Sequence, residues 1–197
     1  MFGSDPIGLP GLAVMGLGFT LFLIALLVAR ARKGAGPERG ATRSISSWLG
    51  IIIQGFAIGL MSYGPVRVEL DPLSRLALGE AIAIAVLMGS AIALFALSSR
   101  AMGRNWSLVA RTRSDHDLVT SGPFRYVRHP IYVALFLLMI ALSIAFGHGT
   151  RLLLGVPIYA VGTWFRIVRE ERLLHGMFGA QYEAYAGRVK RFVPGVF

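Results

Sequence analysis

Between Ile7 and Ala29 the chain carries no charged residue. A helix needs about 20 predominantly apolar residues to cross the hydrocarbon layer of a bilayer, and this run supplies them. Four more apolar segments follow, at about Ile45 to Tyr63, Leu76 to Leu97, Ile131 to Phe146, and Leu152 to Phe165. The last two are shorter, at 16 and 14 residues, and read as a tight hairpin closed by "GHGTR". The fifth is expected to continue as helix beyond the membrane through "RIVREERLLHG", because nothing breaks its pattern before Gly176. The expected fold is therefore all-α, a polytopic membrane protein with about five transmembrane helices. Composition agrees: 55% of the 197 residues are apolar, only 15% are charged, and the mean hydropathy is +0.64.

The first segment is expected to be retained and not cleaved. No Lys or Arg precedes it, and it is too long for the apolar part of a signal peptide. With no cysteine, disulfides, thiolate metal sites and cysteine nucleophiles are excluded.

A net charge of +10 invites a nucleic-acid reading, but its distribution points to a membrane. The loops after the first and third segments, with the tail from Arg166, hold 17 of the 20 basic residues; only Arg67, Arg75 and Arg151 lie elsewhere. The positive-inside rule then puts the N-terminus outside and the C-terminus in the cytoplasm, in the cell's inner membrane. Membrane lipids are expected partners and nucleic acid is not; oligomeric state is not legible.

Several isolated features have plain structural readings. Gly55 and Gly59 form a G-x-x-x-G that predicts close helix packing. Glu80 lies near the outer end of the third segment, within reach of the interface. Trp48 and Trp106 read as interfacial anchors. "GLG" at Gly16 to Gly18 follows no strand and lacks a third glycine, so it is no dinucleotide loop. His116, His129, His148 and His175 have no partner at metal-ligand spacing, so no metal is expected.

Two blocks concentrate polar chemistry at the basic ends. The first is "SDHDLVTSGPFRYVRHPIY", Ser114 to Tyr132. Gly122-Pro123 marks a turn, and Pro130 suits the first turn of the fourth helix. The helix start, with Arg128 and His129 beside it, makes an anion-friendly corner. On residue type alone, Arg125 and Arg128 serve equally well as contacts to lipid phosphates.

The second block is "WFRIVREERLLHGMFGAQYEAYAGRVKRF". Arg166 and Glu170, four apart, share a helix face. Glu171 is rotated by about 100°, so the two carboxylates are not expected to point at one site. Arg166 sits where the helix leaves the bilayer and is expected to face protein or a water-filled cavity. Phe178, Tyr182, Tyr185 and Phe192 alternate with Arg188, Lys190 and Arg191, as in an amphipathic segment lying on the leaflet or against the first block. Together the blocks describe a membrane-embedded site lined by cations, a carboxylate and aromatics.

In order and spacing, "HDLVTSGPFRYVRHPIY" followed by "RIVREERLL" and "FGAQYEAYAGRVKRF" resembles the isoprenylcysteine carboxyl methyltransferase family and the related phospholipid N-methyltransferases. The resemblance covers about the last 95 residues. It implies an integral membrane enzyme that uses S-adenosyl-L-methionine, with a cytoplasmic C-terminal cofactor pocket. It divides the chain into transmembrane helices at 1–98 and a catalytic region at 99–197. His116 to Val119, including Leu118, would contact the nucleoside end. Phe124 stands where prenylcysteine enzymes often have a tyrosine. Arg128, His129, Pro130, Ile131 and Tyr132 would line the cofactor, with Glu170 binding it and Glu171 supporting. Arg166 would face the acceptor's reacting head group, and Tyr132 would offer its π-face to the sulfonium.

That chemistry suits the residue types. Methyl transfer to an ionised carboxylate needs no base, so positioning carries much of it, and an arginine fork can orient the carboxylate. An amine acceptor would need a base, with Glu170, His129 or water as candidates. The acceptor is expected to be a lipophilic small molecule or a prenylcysteine-like carboxylate; whether oxygen, nitrogen or sulfur is methylated stays open. The alternatives are a reductase-like relative holding another nucleotide cofactor and a non-catalytic membrane scaffold.

Overall fold

The computed structural model describes residues 3–32, 45–103 and 117–195. Their helices are α1 (Leu9–Ala31), α2 (Ile45–Ser62), α3 (Arg75–Met102), α4 (Pro130–Ala145), α5 (Leu152–Phe178) and α6 (Ala180–Arg188). The protein is an all-α membrane protein, with α1 to α5 matching the five apolar segments. Among the described residues, three helical stretches are long and apolar enough to cross a membrane: Leu9–Ala31, Arg75–Met102 and Gly149–Phe178. Trp48–Ser62 and Pro130–Ala145 are shorter apolar helices. At 1.5 Å per residue, the 16 residues of α4 reach only about 24 Å.

The helix ends follow local chemistry. Ser74 caps α3, its side chain accepting from the Ala77 N–H at 3.2 Å. Pro130 opens α4, where a missing N–H leaves no bond unmade. The fifth helix passes Gly176 and stops at Gly179, whose φ of +48° suits a residue without Cβ. Gly179 also begins α6, so one glycine turns the chain back toward the bundle.

Packing sets α3 between α1 and α4, while α2 lies along α5 and also touches α4. Met15, Phe22, Met61, Ile84, Met88, Phe95, Leu138 and Met139 form the buried centre, with Phe22 and Phe95 rings 5.0 Å apart. Leu17, Leu27, Ile52, Phe56, Ile82 and Val86 point outward. An apolar outer surface around a close-packed interior is what a lipid solvent permits.

One end of the bundle is tied by backbone. Strands β1 (Pro6–Ile7) and β2 (Arg67–Val68) pair in parallel, and the Asp5 N–H donates to the Gly147 carbonyl at 2.7 Å. The start of the first segment, the α2–α3 loop and the α4–α5 turn therefore meet there. Buried His148 places its ring nitrogens 2.7 Å from the Met61 carbonyl and 3.2 Å from that of Pro65. Arg151 donates to the carbonyls of Leu60 and Tyr63. Glu80 accepts the Gly8 N–H at 3.2 Å and so caps the start of α1.

The glycine pair expected to pack helices does not. A Cβ on Gly55 or Gly59 would meet nothing within 4 Å. The close approach runs instead through Gly50, Gly155 and Gly162. A Cβ on Gly50 would lie 2.5 Å from Cγ of Arg166, and one on Gly162 would lie 2.9 Å from the Gln54 nitrogen. The face of α2 that meets α5 is the one bearing Gly50 and Gln54, which the G-x-x-x-G spacing did not mark.

Candidate active site

At the opposite end, the two polar blocks meet. Gly122–Arg125 forms a 3-10 turn packed on α3, with Phe124 half-buried and Arg125 exposed. Beyond it the chain runs alongside its own tail. The Arg128 N–H donates to the Lys190 carbonyl at 2.8 Å, and the His129 N–H to that of Arg191 at 3.1 Å. Tyr185 of α6 donates its hydroxyl to the Phe124 carbonyl at 2.7 Å. Burial pushes that hydroxyl up to about 12, despite nearby Arg128, so it remains a donor at neutral pH. The tail thus lies against the first block, one of its two expected positions.

The glutamate pair behaves differently from its helical phase. His129 sits between both carboxylates, with Nε2 3.1 Å from Glu171 and Nδ1 3.8 Å from Glu170. The side chains lean together from adjacent positions, so the expected divergence does not hold around this imidazole. Beyond Phe165, where the fifth apolar segment ends, α5 carries five charges in seven residues. There Glu171 takes a bidentate grip from Arg191 at 2.6 and 3.0 Å, and Arg128 approaches at 3.1 Å. Burial works against its charge, yet bonds from His129 and Arg191 and the Arg128 cation hold the carboxyl well below the usual range. Arg191 also lies over Trp164, 5.4 Å from its centroid.

Arg128 is not a lipid-phosphate contact. It turns inward and donates to the carbonyls of Ala186 and Val189 at 2.7 and 2.8 Å. A guanidinium fits because it supplies several donors in one plane.

Around Arg166 the packing is closer. Its guanidinium lies 4.8 Å from the Tyr132 ring centroid, 2.9 Å from Gln54 Oε1 and 3.8 Å from Glu170. Arg166 thus lies over the Tyr132 ring, and His129 stacks with that ring at 5.7 Å. Tyr132 donates its hydroxyl to Glu170 and accepts at its carbonyl from Tyr159 at 2.7 Å. Gln54 in turn donates to Thr163 at 2.7 Å. Among the sequence-derived candidates, Arg128, His129, Tyr132, Arg166, Glu170 and Glu171 form one connected set. Pro130 is buried and Ile131 half-buried at the start of α4, and Leu118 and Val119 are half-buried before the 3-10 turn. His116 and Trp106 lie outside the described residues.

Gln54, Thr163, Trp164 and Gly162 carried no flag in the sequence. A lone amide inside an apolar segment was the available signal. The tail carbonyls left none, since any residue type provides them. Among the described residues no group of acidic, His or Cys side chains could hold a metal.

The fold and site define an α-helical membrane protein with a charged, aromatic-lined cluster at one end of its bundle. Over residues 81–176 the chain matches the isoprenylcysteine carboxyl methyltransferase family. It is 28% identical over 159 residues to the protein-S-isoprenylcysteine O-methyltransferase of Tribolium castaneum, covering 77% of this chain and 50% of that one. The Schizosaccharomyces pombe protein of that name is 36% identical over 102 residues, 47% of this chain and 40% of its own. The Homo sapiens protein is 38% identical over 103 residues, covering 47% and 33%. The chain thus spans half or less of the length of these three relatives.

Proposed function

We propose that the chain is a membrane methyltransferase that uses S-adenosyl-L-methionine to esterify the carboxylate of a lipophilic, prenylcysteine-like molecule. The observation that carries this reading is the placement of Arg166, held between Tyr132, Gln54 and Glu170 where the bundle leaves its apolar layer. The names of the relatives supply the acceptor class.

The residues fit a polar cofactor. Tyr182 Oη and Arg128 Nε are buried without a hydrogen-bond partner, and such groups call for an acceptor. In this reading His129, Pro130, Ile131, Tyr132 and Glu170 hold the cofactor, with Arg128 and Glu171 fixing them from behind. His116, Leu118, Val119 and Phe124 take the nucleoside end on the strength of the family resemblance.

When bound, the cofactor supplies a methyl group on a sulfonium. Arg166 orients the acceptor's carboxylate, which is already ionised, so none of these side chains has to remove a proton. Tyr132 fixes Glu170 through its hydroxyl and Arg166 through its ring, so the contribution is mostly positioning. Residues 99–197 carry this chemistry and residues 1–98 supply the rest of the bundle. Five crossings, an outside N-terminus and a cytoplasmic site in the inner membrane complete the reading; the charge distribution supports them.

The test is purified protein in nanodiscs with methyl-labelled cofactor and N-acetyl-S-farnesylcysteine, followed by mass spectrometry. A labelled methyl ester is expected. No ester, together with no heat of cofactor binding in detergent or nanodiscs, overturns the reading.

A further inference from the structure

Gln54 is 2% exposed, on a helix outside the family-matched residues 81–176. Its amide orientation follows from its neighbours. Arg166 can only donate, so Oε1 faces it at 2.9 Å, and Nε2 donates to Thr163 at 2.7 Å. Helix α2 comes this close because Gly50 and Gly162 lack side chains: a Cβ on either would strike the Arg166 stem or the Gln54 backbone. Gln54 therefore fixes one edge of the guanidinium while Tyr132 fixes its face.

The partner at that edge is a neutral oxygen. A carboxylate would hold the same geometry more strongly, because a bond between two charged groups exceeds one to an amide. It would also set a second negative charge, beside Glu170 at 3.8 Å, against the cation assigned to meet the acceptor.

We propose that Gln54 is a positioning and specificity residue: it holds Arg166 in a fixed pose without adding a countercharge, and so tunes the site for an anionic acceptor. This rests on the reading of Arg166 as the anchor of the acceptor's carboxylate.

Gln54→Glu is nearly isosteric and keeps both bonds, since the Thr163 hydroxyl can rotate to donate. Binding of S-farnesylthioacetate, an acid, and of its neutral amide is measured in nanodiscs for the wild type and Q54E, alongside KM and kcat for N-acetyl-S-farnesylcysteine. Q54E is expected to weaken acid binding and raise KM by about tenfold, the loss of one charge-assisted contact. Amide binding and cofactor affinity should match wild type, and kcat should change far less than KM. A purely structural role would weaken acid and amide together, and that result overturns the proposal. Equal acid binding in the two proteins overturns it as well, as does a Q54E that fails to fold, since only charge is meant to change. If the wild type binds the acid but forms no ester, methyl transfer is refuted and the binding ratio still decides the role of Gln54. A wild type that binds no acid overturns both.

Discussion

Tyr132 donates its hydroxyl to Glu170 while its ring carries the Arg166 guanidinium 4.8 Å from the centroid. One side chain thus orders an anion and a cation that stand four residues apart on α5. Tyr132→Phe should separate the two tasks. The ring keeps Arg166, and Glu170 loses one donor, a change of about 1 kcal/mol. Cofactor affinity by calorimetry should fall about five- to tenfold, with the melting temperature little changed. Tyr132→Ala should abolish turnover, because Arg166 also loses its platform.

The adjacent glutamates should give opposite phenotypes. Glu171 holds Arg191, Arg128 and His129 and is largely enclosed. Removing its charge weakens its bonds to two arginines and an imidazole at once, at a cost on the order of 3 kcal/mol. Glu171→Gln should therefore loosen the tail, seen as faster amide exchange at Arg128 and His129. Glu170→Gln should leave that exchange unchanged and weaken cofactor binding. Equal exchange in both variants would remove the distinction.

Glycines on α2 and α5 provide a packing test. Gly162→Ala puts a Cβ 2.9 Å from the Gln54 nitrogen, and such overpacking costs about 1–3 kcal/mol. Gly55→Ala and Gly59→Ala meet open space and should be neutral or stabilising by about 0.5–1 kcal/mol through helix propensity. Thermal unfolding of the three variants in one detergent checks the order. A destabilising Gly59→Ala would return the contact to the G-x-x-x-G face.

His148 lies far from the proposed chemistry. His148→Ala removes the imidazole held against the Met61 and Pro65 carbonyls and opens a cavity. It should cost about 2–3 kcal/mol in stability. KM and kcat of the surviving folded fraction, assayed well below the melting temperature, should match wild type.

The helices were legible because an apolar run of bilayer length has few alternatives, and Pro130 marked the start of α4. The continuation of α5 into the charged block was legible too, since Arg166 to His175 contains no breaker. The resemblance brought most of the candidate cluster together. What stayed hidden depended on distance in sequence. Arg128 reads as a surface cation until the carbonyls of Ala186 and Val189 are in place around it. The meeting of Glu170 and Glu171 at His129 needed side-chain torsions that helical phase does not contain. Gly55 and Gly59 had the right spacing on the wrong face, and spacing alone cannot say which face another helix will cover.

The backbone donors at Arg128 and His129 find their acceptors about 60 residues later, in the tail beyond α6. Chains enter a membrane from the N-terminal end, so α1 to α4 can be in place while those acceptors are still to be made. The cluster is closed by a part synthesised after α1 to α5. A chain stopped after α5 would retain its spanning helices and its glutamates, yet its first polar block would have nothing to lie against. Competence at this end of the molecule is thus delayed until translation has passed Arg191, and a half-made protein cannot present the finished cluster.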